Sequence, residues 1–390
     1  MPSVIRDLER CCNIFDLREL ARRRMPAPIF RYLDGGAETE VTLHRNVSAL
    51  DSKLLVPCCL VDTTKVNTAT QVLGVNLDWP VICAPTGASR LYHPDGELAV
   101  ARAARQSGTL YSLSVAATHS AEEVSAASDG PKLMQILPFK DGGLTRELIA
   151  RCRAAGFQAL CVTLDASVRG NREQRELPSG VVGAPPLSIG VLLRFGLSPR
   201  WLLGQALKGA WAMPNIAPSG ERSDFTAHTR RLGSQLNAAA TWKDIKEIAR
   251  AWGGPLALKG LMSVEDARRA IDVGATAAFI SNHGGRQLDG AAAPIDVLPE
   301  IAAAVGDKLE LILDGGIRRG THVLKALALG AHACSVGRAY LYGLGAAGEA
   351  GAYKALHILK TELVRAMQLA GCTDVRNISP RLVLRSEVAA

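Results

Sequence analysis

The chain has 390 residues, of which 48% are hydrophobic and 5% aromatic, and a formal net charge of +8. This length fits one large α/β barrel or two smaller domains, and the hydrophobic content suffices for a sizeable core. Basic and acidic residues are interleaved, which argues against a nucleic-acid-binding stripe, although the basic balance still suits an anionic membrane surface or anionic substrates. No uninterrupted apolar stretch is long enough to span a bilayer.

The nine cysteines contain no Cys-x-x-Cys pair, and no group of histidines has zinc-site spacing, so no metal site is predicted. Cys161 and Cys334 lie inside apolar runs, which predicts packed thiols. This pattern indicates a reducing, cytoplasmic compartment. Residues 1–7 are charged and lack the apolar core of a signal peptide.

Eight short apolar runs, each compatible with a buried strand, alternate with amphipathic segments along the chain. Helix start signals of the capping-box type occur at Ser120, Thr241 and Ser263, and glycines follow several predicted helices. Eight strand–helix units predict a (β/α)8 TIM barrel. The alternative is a doubly wound open sheet, which would not need eight strands, and no Gly-x-Gly-x-x-Gly follows the first run. The runs are 81–84, 109–113, 132–136, 159–165, 255–259, 276–281, 309–314 and 333–337, with helices near 96–107, from about 120 and over 143–155.

Two regions lie outside this repeat, within what we interpret as a single domain over residues 1–390. Residues 1–80 contain an amphipathic helix near 15–34 and two short segments predicted to cap the barrel. Residues 174–240 form an insert after the fourth strand that is too long for an ordinary connection. Its apolar and aromatic residues are mixed with Arg and Lys, as in an interfacial membrane anchor, and the alternatives are an active-site lid or an oligomer contact. These residues fall at 192–195, 199–203 and 210–213.

Polar or glycine residues stand at the ends of all eight predicted strands. In a barrel these ends meet at one mouth, where active sites form. After the sixth run come His283, which can take a proton near neutral pH, and Arg286, which can hold a carboxylate through two parallel hydrogen bonds. The glycines between them allow close approach of a ligand. The positions are 84–87, Ser114, Gln135, Thr163, Asp165, Lys259, 281–286, 314–318, Gly337 and Arg338.

The run 281–290, Ser-Asn-His-Gly-Gly-Arg-Gln-Leu-Asp-Gly, resembles the signature of the FMN-dependent 2-hydroxy-acid dehydrogenases and oxidases. That family includes glycolate oxidase, lactate oxidase, the flavin lactate dehydrogenases and mandelate dehydrogenase, and the resemblance covers roughly residues 15–380. It implies oxidation of (S)-2-hydroxy acids to 2-oxo acids, with hydride passing from Cα to flavin N5 while a His base takes the hydroxyl proton. A carbanion route would use the same base. Because no side chain accepts two electrons, the reaction requires a cofactor, here FMN.

The resemblance also assigns roles to particular residues. His283 is the base, and Asp165 is the carboxylate that orients its ring and favours its charged form. Arg286 and Tyr32 hold the substrate carboxylate. Arg172 matches a second active-site arginine of the mandelate dehydrogenase branch.

The predicted FMN site follows from the same resemblance. Lys259 lies near the N1–C2=O2 region of the flavin, where a cation favours reduction. The phosphate lies after strands seven and eight, against backbone N–H groups, Arg318 and Arg338, while Asp314 suits the ribityl hydroxyls. The predicted FMN-binding residues are Pro85, Thr86, Gly87, Ser114, Gln135, Thr163, Lys259, Ser281, Asp314, Gly315, Gly316, Arg318, Gly337 and Arg338.

Three positions bear on specificity. Leu137 stands where most members have a tyrosine that hydrogen-bonds the substrate, and Ala116 stands where glycolate oxidase has a tryptophan. These two predict a more open, more apolar pocket that favours aryl or longer-chain 2-hydroxy acids such as mandelate. Gly87 occupies a position that is usually Ala in oxidases and often Gly in dehydrogenases, which favours a quinone or protein acceptor over oxygen.

Three alternatives stay open at this point. They are an oxygen-using 2-hydroxy-acid oxidase, an enzyme that oxidises an amine or modified peptide, and a non-enzymatic flavin-binding or membrane-surface protein. Arg286 argues against the second, and the intact catalytic set argues against the third. The resemblance further implies a homo-oligomer, often a tetramer. It also implies a cytoplasmic location or one peripheral to the inner face of the membrane, since membrane-bound members carry a segment that Pro199-Arg200-Trp201 matches.

Overall fold

The structure is a computed structural model that describes residues 2–173, 198–208, 211–216 and 225–384. Eight parallel strands close into a barrel in which each strand pairs with its neighbours in the chain and the last pairs with the first. The predicted (β/α)8 TIM barrel is therefore confirmed. The strands are β1 (Thr70–Val72) and β2 (Val75–Leu77), which form a separate hairpin, and the barrel strands β3 (Val81–Thr86), β4 (Tyr111–Ser114), β5 (Lys132–Ile136), β6 (Ala159–Thr163), β7 (Leu256–Leu261), β8 (Ala277–Ile280), β9 (Glu310–Asp314) and β10 (Ala333–Val336).

Helices surround the barrel, and three of them begin at the predicted start signals, Ser120, Thr241 and Ser263. The capping boxes at Ser120 and Thr241 form, whereas at Ser263 the side chain accepts from the N–H of Asp266 without a reciprocal bond to the Ser263 backbone. The helices are α1 (Pro2–Glu9), α2 (Ile14–Arg24), α3 (Ala27–Asp34), α4 (Val41–Ser52), α5 (Gly96–Gln106), α6 (Ala121–Ala127), α7 (Gly142–Ala154), α8 (Pro199–Lys208), α9 (Phe225–Gln235), α10 (Trp242–Trp252), α11 (Val264–Asp272), α12 (Pro294–Val305), α13 (Gly320–Ala328) and α14 (Arg338–Ala370), the last interrupted at Ala347 and Gly348.

The prediction of one helix near 15–34 was wrong, because α2 and α3 are separate helices. Met25 has an extended backbone (φ −95°, ψ 151°) and Pro26 is the N-cap residue of α3. A residue that precedes proline is disfavoured in the α conformation, so the Met25–Pro26 step breaks the helix. The break turns α3 and places Tyr32 near its end, at the barrel mouth.

The barrel interior divides into an apolar layer and a polar layer, because side chains two residues apart on a strand face the same way. Cys161 on β6 and Ile312 on β9 belong to the interior apolar cluster, to which the β1–β2 hairpin also contributes. Two residues further along each strand are Thr163 and Asp314, which line the open mouth. One end of the barrel is therefore closed by packing, and the other presents polar groups.

The described parts of the insert pack against the loop that follows β3. In α8, the Trp201 Nε1–H donates to the carbonyl oxygen of Leu91 at 2.9 Å. The predicted anchor residues 192–195 and residue 210 lie outside the described residues. Among the helices that are described, none is long and apolar enough to cross a membrane.

Candidate active site

A cavity opens at the C-terminal end of the barrel, and it brings the predicted site residues together. All of the predicted substrate-binding and FMN-binding residues line it except Ser281, which is hydrogen-bonded to Lys259. Asp165 lies behind His283, which lines the cavity itself. No cluster of His, Cys, Asp and Glu suited to a metal ion occurs in the described ranges.

His283 and Asp165 form a hydrogen-bonded pair, with 3.0 Å between Nδ1 and Oδ1. His283 has a φ of 60°, a left-handed conformation that is uncommon for non-glycine residues and recurs at functional sites. Burial raises the pKa of Asp165, but His283 and Lys259 outweigh this and lower it below its usual value. The carboxylate therefore stays charged and accepts the Nδ1 proton, which leaves Nε2 as the ring nitrogen that can act as a base.

Lys259 lies at the bottom of the cavity in a buried polar triad. Its Nζ donates to Ser281 Oγ and to Asp314 Oδ2, both at 2.7 Å, and Ser281 Oγ donates to the same carboxylate oxygen at 2.6 Å. Burial lowers the pKa of Lys259, yet Asp314 and Asp165 outweigh burial and raise it. Burial likewise raises the pKa of Asp314, which Lys259 reverses. The triad thus holds a permanent cation beside the cavity.

Arg286, Arg172 and Tyr32 form the cationic side of the mouth. Arg286 Nη1 donates to the carbonyl oxygens of Tyr32 at 3.0 Å and Gly35 at 2.9 Å, and its Cζ lies 5.1 Å from the centre of the Tyr32 ring. Arg172 Nη1 donates to the Tyr32 hydroxyl at 3.5 Å. The buried Nε of Arg172 has no hydrogen-bond partner in the described structure. Because buried donors are normally satisfied, this atom calls for an acceptor from a bound anion.

The loop after β9 forms a cradle in the same cavity. Gly315 (φ 114°) and Gly316 (φ 80°) adopt conformations that L side chains rarely take, and a Cβ on Gly316 would overlap the carbonyl oxygen of Asn46. Arg318 is buried, with 9% exposure, and lines the same cavity. A glycine turn that leads into the N-terminus of α13, with a buried arginine beside it, fits a phosphate group such as that of FMN.

The guanidinium group of Arg338 donates hydrogen bonds to the backbone of neighbouring segments. Its Nε, Nη2 and Nη1 donate to the carbonyl oxygens of Leu33 at 3.1 Å, Gly35 at 2.8 Å and Gly284 at 2.9 Å. It thereby ties the end of α3 to the loop that carries His283. A phosphate contact by this residue stays a prediction.

His322 supports the cradle from behind. It is buried, its Nδ1 accepts the Arg318 backbone N–H at 3.3 Å, and its Nε2 lies 2.8 Å from Asp51 Oδ1 on α4. Burial lowers the pKa of His322, and the opposing effect of Asp51 does not restore it. The neutral imidazole is therefore the form that completes the loop.

We expect the stability of the folded chain to fall as the pH drops below about 6.5, the ordinary His pKa. The pKa of His322 is lower in the folded state, so the unfolded chain binds the proton first and folding is disfavoured in that window. Denaturant unfolding of the wild type and His322→Asn at pH 7.5 and 5.5 would measure this. Burial also lowers the pKa of His332, which remains in the variant. The comparison is therefore between the change in free energy of unfolding from pH 7.5 to pH 5.5 in the wild type and the same change in His322→Asn. An equal change in both proteins would contradict a lowered pKa of His322 in the folded state.

Several cavity residues were not singled out from the sequence. Arg169, between Asp165 and Arg172, was within reach of sequence reasoning because it lies in the same loop. Met213 was predicted as part of the anchor-like run 210–213, but it is buried and lines the cavity, whereas Leu232 and Leu236 carry no local signal. Only the folded insert brings these three residues to the cavity.

Comparison with known proteins places the chain in a family. The family described as FMN-dependent dehydrogenase matches residues 21–385. L-lactate dehydrogenase from Caulobacter vibrioides is 40% identical over 370 residues (94% of this chain, 96% of that protein), and L-lactate oxidase from Nostoc sp. is 42% identical over 371 residues (94% and 96%). The crystal structure of the monotopic membrane protein (S)-mandelate dehydrogenase superposes with a TM-score of 0.92 at 34% identity, covering 97% of this chain and 100% of that one. The chain therefore belongs to the FMN-dependent dehydrogenase family.

Proposed function

We propose that this FMN-dependent 2-hydroxy-acid-oxidising enzyme acts on aryl or longer-chain (S)-2-hydroxy acids, with His283 as the base. The observation that carries the proposal is the His283–Asp165 pair at 3.0 Å, in a cavity that also contains Arg286. A base and a carboxylate-binding group in one cavity suit a substrate with a hydroxyl beside a carboxylate. FMN, when bound, supplies the acceptor for the two electrons that leave the substrate.

His283 takes the substrate proton at Nε2. The Asp165 carboxylate holds the Nδ1 proton, fixes the ring orientation and stabilises the imidazolium that forms. This arrangement serves removal of the hydroxyl proton and of the Cα proton equally, so both routes use the same nitrogen.

The substrate carboxylate binds at the arginine side of the mouth. Arg286 uses Nη1 for backbone carbonyls, which leaves its opposite edge for a carboxylate. The unpartnered Nε of Arg172 adds a second donor, and the Cζ atoms of Arg172 and Arg286 lie 5.7 Å and 5.1 Å from the centre of the Tyr32 ring. FMN would be held by Lys259 and by the cradle at Gly315, Gly316 and Arg318.

Apolar side chains in the cavity lining support the preference for large substrates. Leu137, Ala116, Met213, Leu232 and Leu236 line the cavity, and none of their side chains offers a hydroxyl, amide or charge. An aromatic or alkyl substituent on Cα gains free energy by leaving water there, on the order of 0.8 kcal/mol per CH₂.

Purified FMN-loaded protein tests the substrate class and the acceptor together. (S)-Mandelate, 2-hydroxyoctanoate and lactate would be supplied with either oxygen or a soluble quinone, and the 2-oxo acid product measured. We expect mandelate or the long chain to exceed lactate, and quinone to exceed oxygen because of Gly87. Equal or faster turnover with oxygen would favour the oxidase alternative. Oxidation of an amine, with no oxidation of any of the three 2-hydroxy acids, would overturn the proposal.

We expect Leu137→Tyr to shift preference toward small 2-hydroxy acids. The aromatic ring occupies apolar volume that a large substituent needs, while the new hydroxyl offers a hydrogen bond. The ratio of kcat/KM for mandelate over lactate should fall by about tenfold, the discrimination expected for lost apolar contact in a pocket. Leu137→Phe is the matched control, because it fills the volume without the hydroxyl. An unchanged ratio in Leu137→Tyr would show that Leu137 does not determine the preference between large and small substrates.

A peripheral membrane contact through α8 is part of the same proposal. Trp201 is buried, whereas Leu202, Leu203 and Leu207 on the helix are 38%, 63% and 77% exposed. An amphipathic helix with exposed leucines on a basic chain suits an anionic bilayer surface. Co-sedimentation with phosphatidylglycerol vesicles should deplete the protein from solution at moderate ionic strength. Protein that stays in the supernatant would contradict the contact.

A further inference from the structure

The cavity lining is strongly cationic. Asp314 is its only acidic member among the described residues, and that carboxylate is already paired with Lys259. The phosphate cradle accounts for Arg318, and the substrate carboxylate accounts for Arg286 and Arg172. Arg338 donates to three backbone carbonyl oxygens, which leaves one arginine in the described lining with neither an anion nor a hydrogen-bond partner assigned to it. The cationic side chains of the lining are Arg169, Arg172, Lys259, Arg286, Arg318 and Arg338.

That arginine, Arg169, stands on a loop held firmly against the catalytic loop. Gln287 Nε2 donates to the carbonyl oxygens of Asp165 at 2.7 Å and Val168 at 3.0 Å, and its Oε1 accepts the Gly170 N–H at 3.0 Å. The two loops approach so closely at Gly170 that a Cβ there would overlap a backbone oxygen. The side chain at 169 is thus presented from a fixed backbone.

Arg169 is exposed and lines the cavity, and it makes no hydrogen bond or ion pair with any residue that the structure describes. Its charge nevertheless reaches the substrate region. Burial raises the pKa of Tyr32, but Arg172, Arg286 and Arg169 outweigh burial and lower it. Tyr32 lies at the proposed carboxylate site, so a substrate bound there shares its cavity with Arg169.

Apolar side chains also line this cavity. Val168 precedes Arg169, and Leu137, Met213 and Leu236 come from other parts of the chain. A substrate that extends from the carboxylate site therefore meets apolar surface, and it can also meet the charge of Arg169. This arrangement suits a hydrophobic spacer that ends in an anion.

We propose that Arg169 binds a second anionic group on the substrate, so that the preferred substrate is a 2-hydroxy acid with an apolar spacer and a distal carboxylate. The inference rests on the proposed function, which assigns the first carboxylate to Arg286. A charge-assisted hydrogen bond or close ion pair at Arg169 would favour the dianion by about tenfold.

The experiment compares matched substrates in FMN-loaded protein. 4-Carboxymandelate is paired with mandelate, and 2-hydroxyadipate with 2-hydroxyhexanoate, because a flexible chain reaches positions that a rigid ring does not. The wild type should have a kcat/KM about tenfold higher for at least one dianion than for its monoanionic partner, mainly through KM. Added salt should reduce this preference.

Arg169→Met keeps an unbranched, flexible side chain that resembles the aliphatic part of arginine and removes the charge. It should abolish the preference for the dianion, so that kcat/KM falls about tenfold more for the dianion than for its matched monoanion, and Arg169→Lys should restore part of the preference. Equal losses on both members of a pair, or no preference in the wild type, would overturn the inference.

Binding of unreactive acids separates this inference from the proposed function. Terephthalate and benzoate would be titrated while flavin absorbance is followed. Tighter binding of terephthalate in the wild type, lost in Arg169→Met, supports the second anion site even if no hydroxy acid is oxidised. Oxidation of mandelate, together with equal binding of the two acids in both proteins, would leave the proposed function intact and remove the role of Arg169.

Discussion

Replacing His283 by Asn is expected to lower the rate of substrate-dependent flavin bleaching by about 10²–10⁴-fold, the usual contribution of a general base. Asn suits this test because it tolerates the left-handed conformation that residue 283 adopts, at a φ of 60°. The base is thus removed without a large backbone penalty. FMN content and the denaturation midpoint should stay close to wild type, and stopped-flow absorbance with (S)-mandelate measures the rate.

Asp165→Asn is the companion variant. An amide at this position can donate to Nδ1, which moves the ring proton to Nε2 and removes the basic lone pair from the substrate side. We therefore expect a loss of at least about tenfold with the imidazole still in place. Bleaching at wild-type rates in His283→Asn would show that another group takes the proton.

Lys259→Met is expected to have the largest effect on stability. It leaves the Asp314 carboxylate, which is 6% exposed, without its cation, and breaking one partner of a buried pair costs about 3–5 kcal/mol. Denaturant unfolding at pH 7 measures the loss in free energy of unfolding. FMN affinity should fall as well, because the cation of the buried triad is removed.

The double variant Lys259→Met/Asp314→Asn separates these two effects. Removing both charges relieves the unpaired carboxylate, so most of the stability should return. FMN affinity, measured by quenching of flavin fluorescence, should remain weak. A single variant that loses less than about 1 kcal/mol would contradict the buried pair as an important stabilising contact.

The barrel and the residues at its mouth were predictable because both follow from strand periodicity. Each apolar run marks a strand, and the polar residue at its end must lie at the mouth of a closed parallel barrel. Lys259, Asp314 and His283 come from three different strands, yet all were placed in one cavity on this basis. The pairing of His283 with Asp165 required the family resemblance, because spacing along the chain does not fix a contact between two loops.

The remaining features depend on contacts between distant parts of the chain. The helix break at Met25 was missed although Pro26 signals it locally. The contact of Asp51 with His322 carries no such signal, because it joins the cap to α13. The contacts of Arg338 could not be predicted from the sequence for the same reason. Its position after β10 predicted a phosphate ligand, and only the folded cap reveals the carbonyl oxygens of Leu33 and Gly35 that it contacts.

The most direct test of the central claim is anaerobic mixing of the FMN-loaded protein with (S)-mandelate, with flavin absorbance and phenylglyoxylate formation followed together. We expect bleaching with one 2-oxo acid formed per flavin, and little reaction with (R)-mandelate. FMN-loaded protein that is not bleached by mandelate, 2-hydroxyoctanoate or lactate would contradict it.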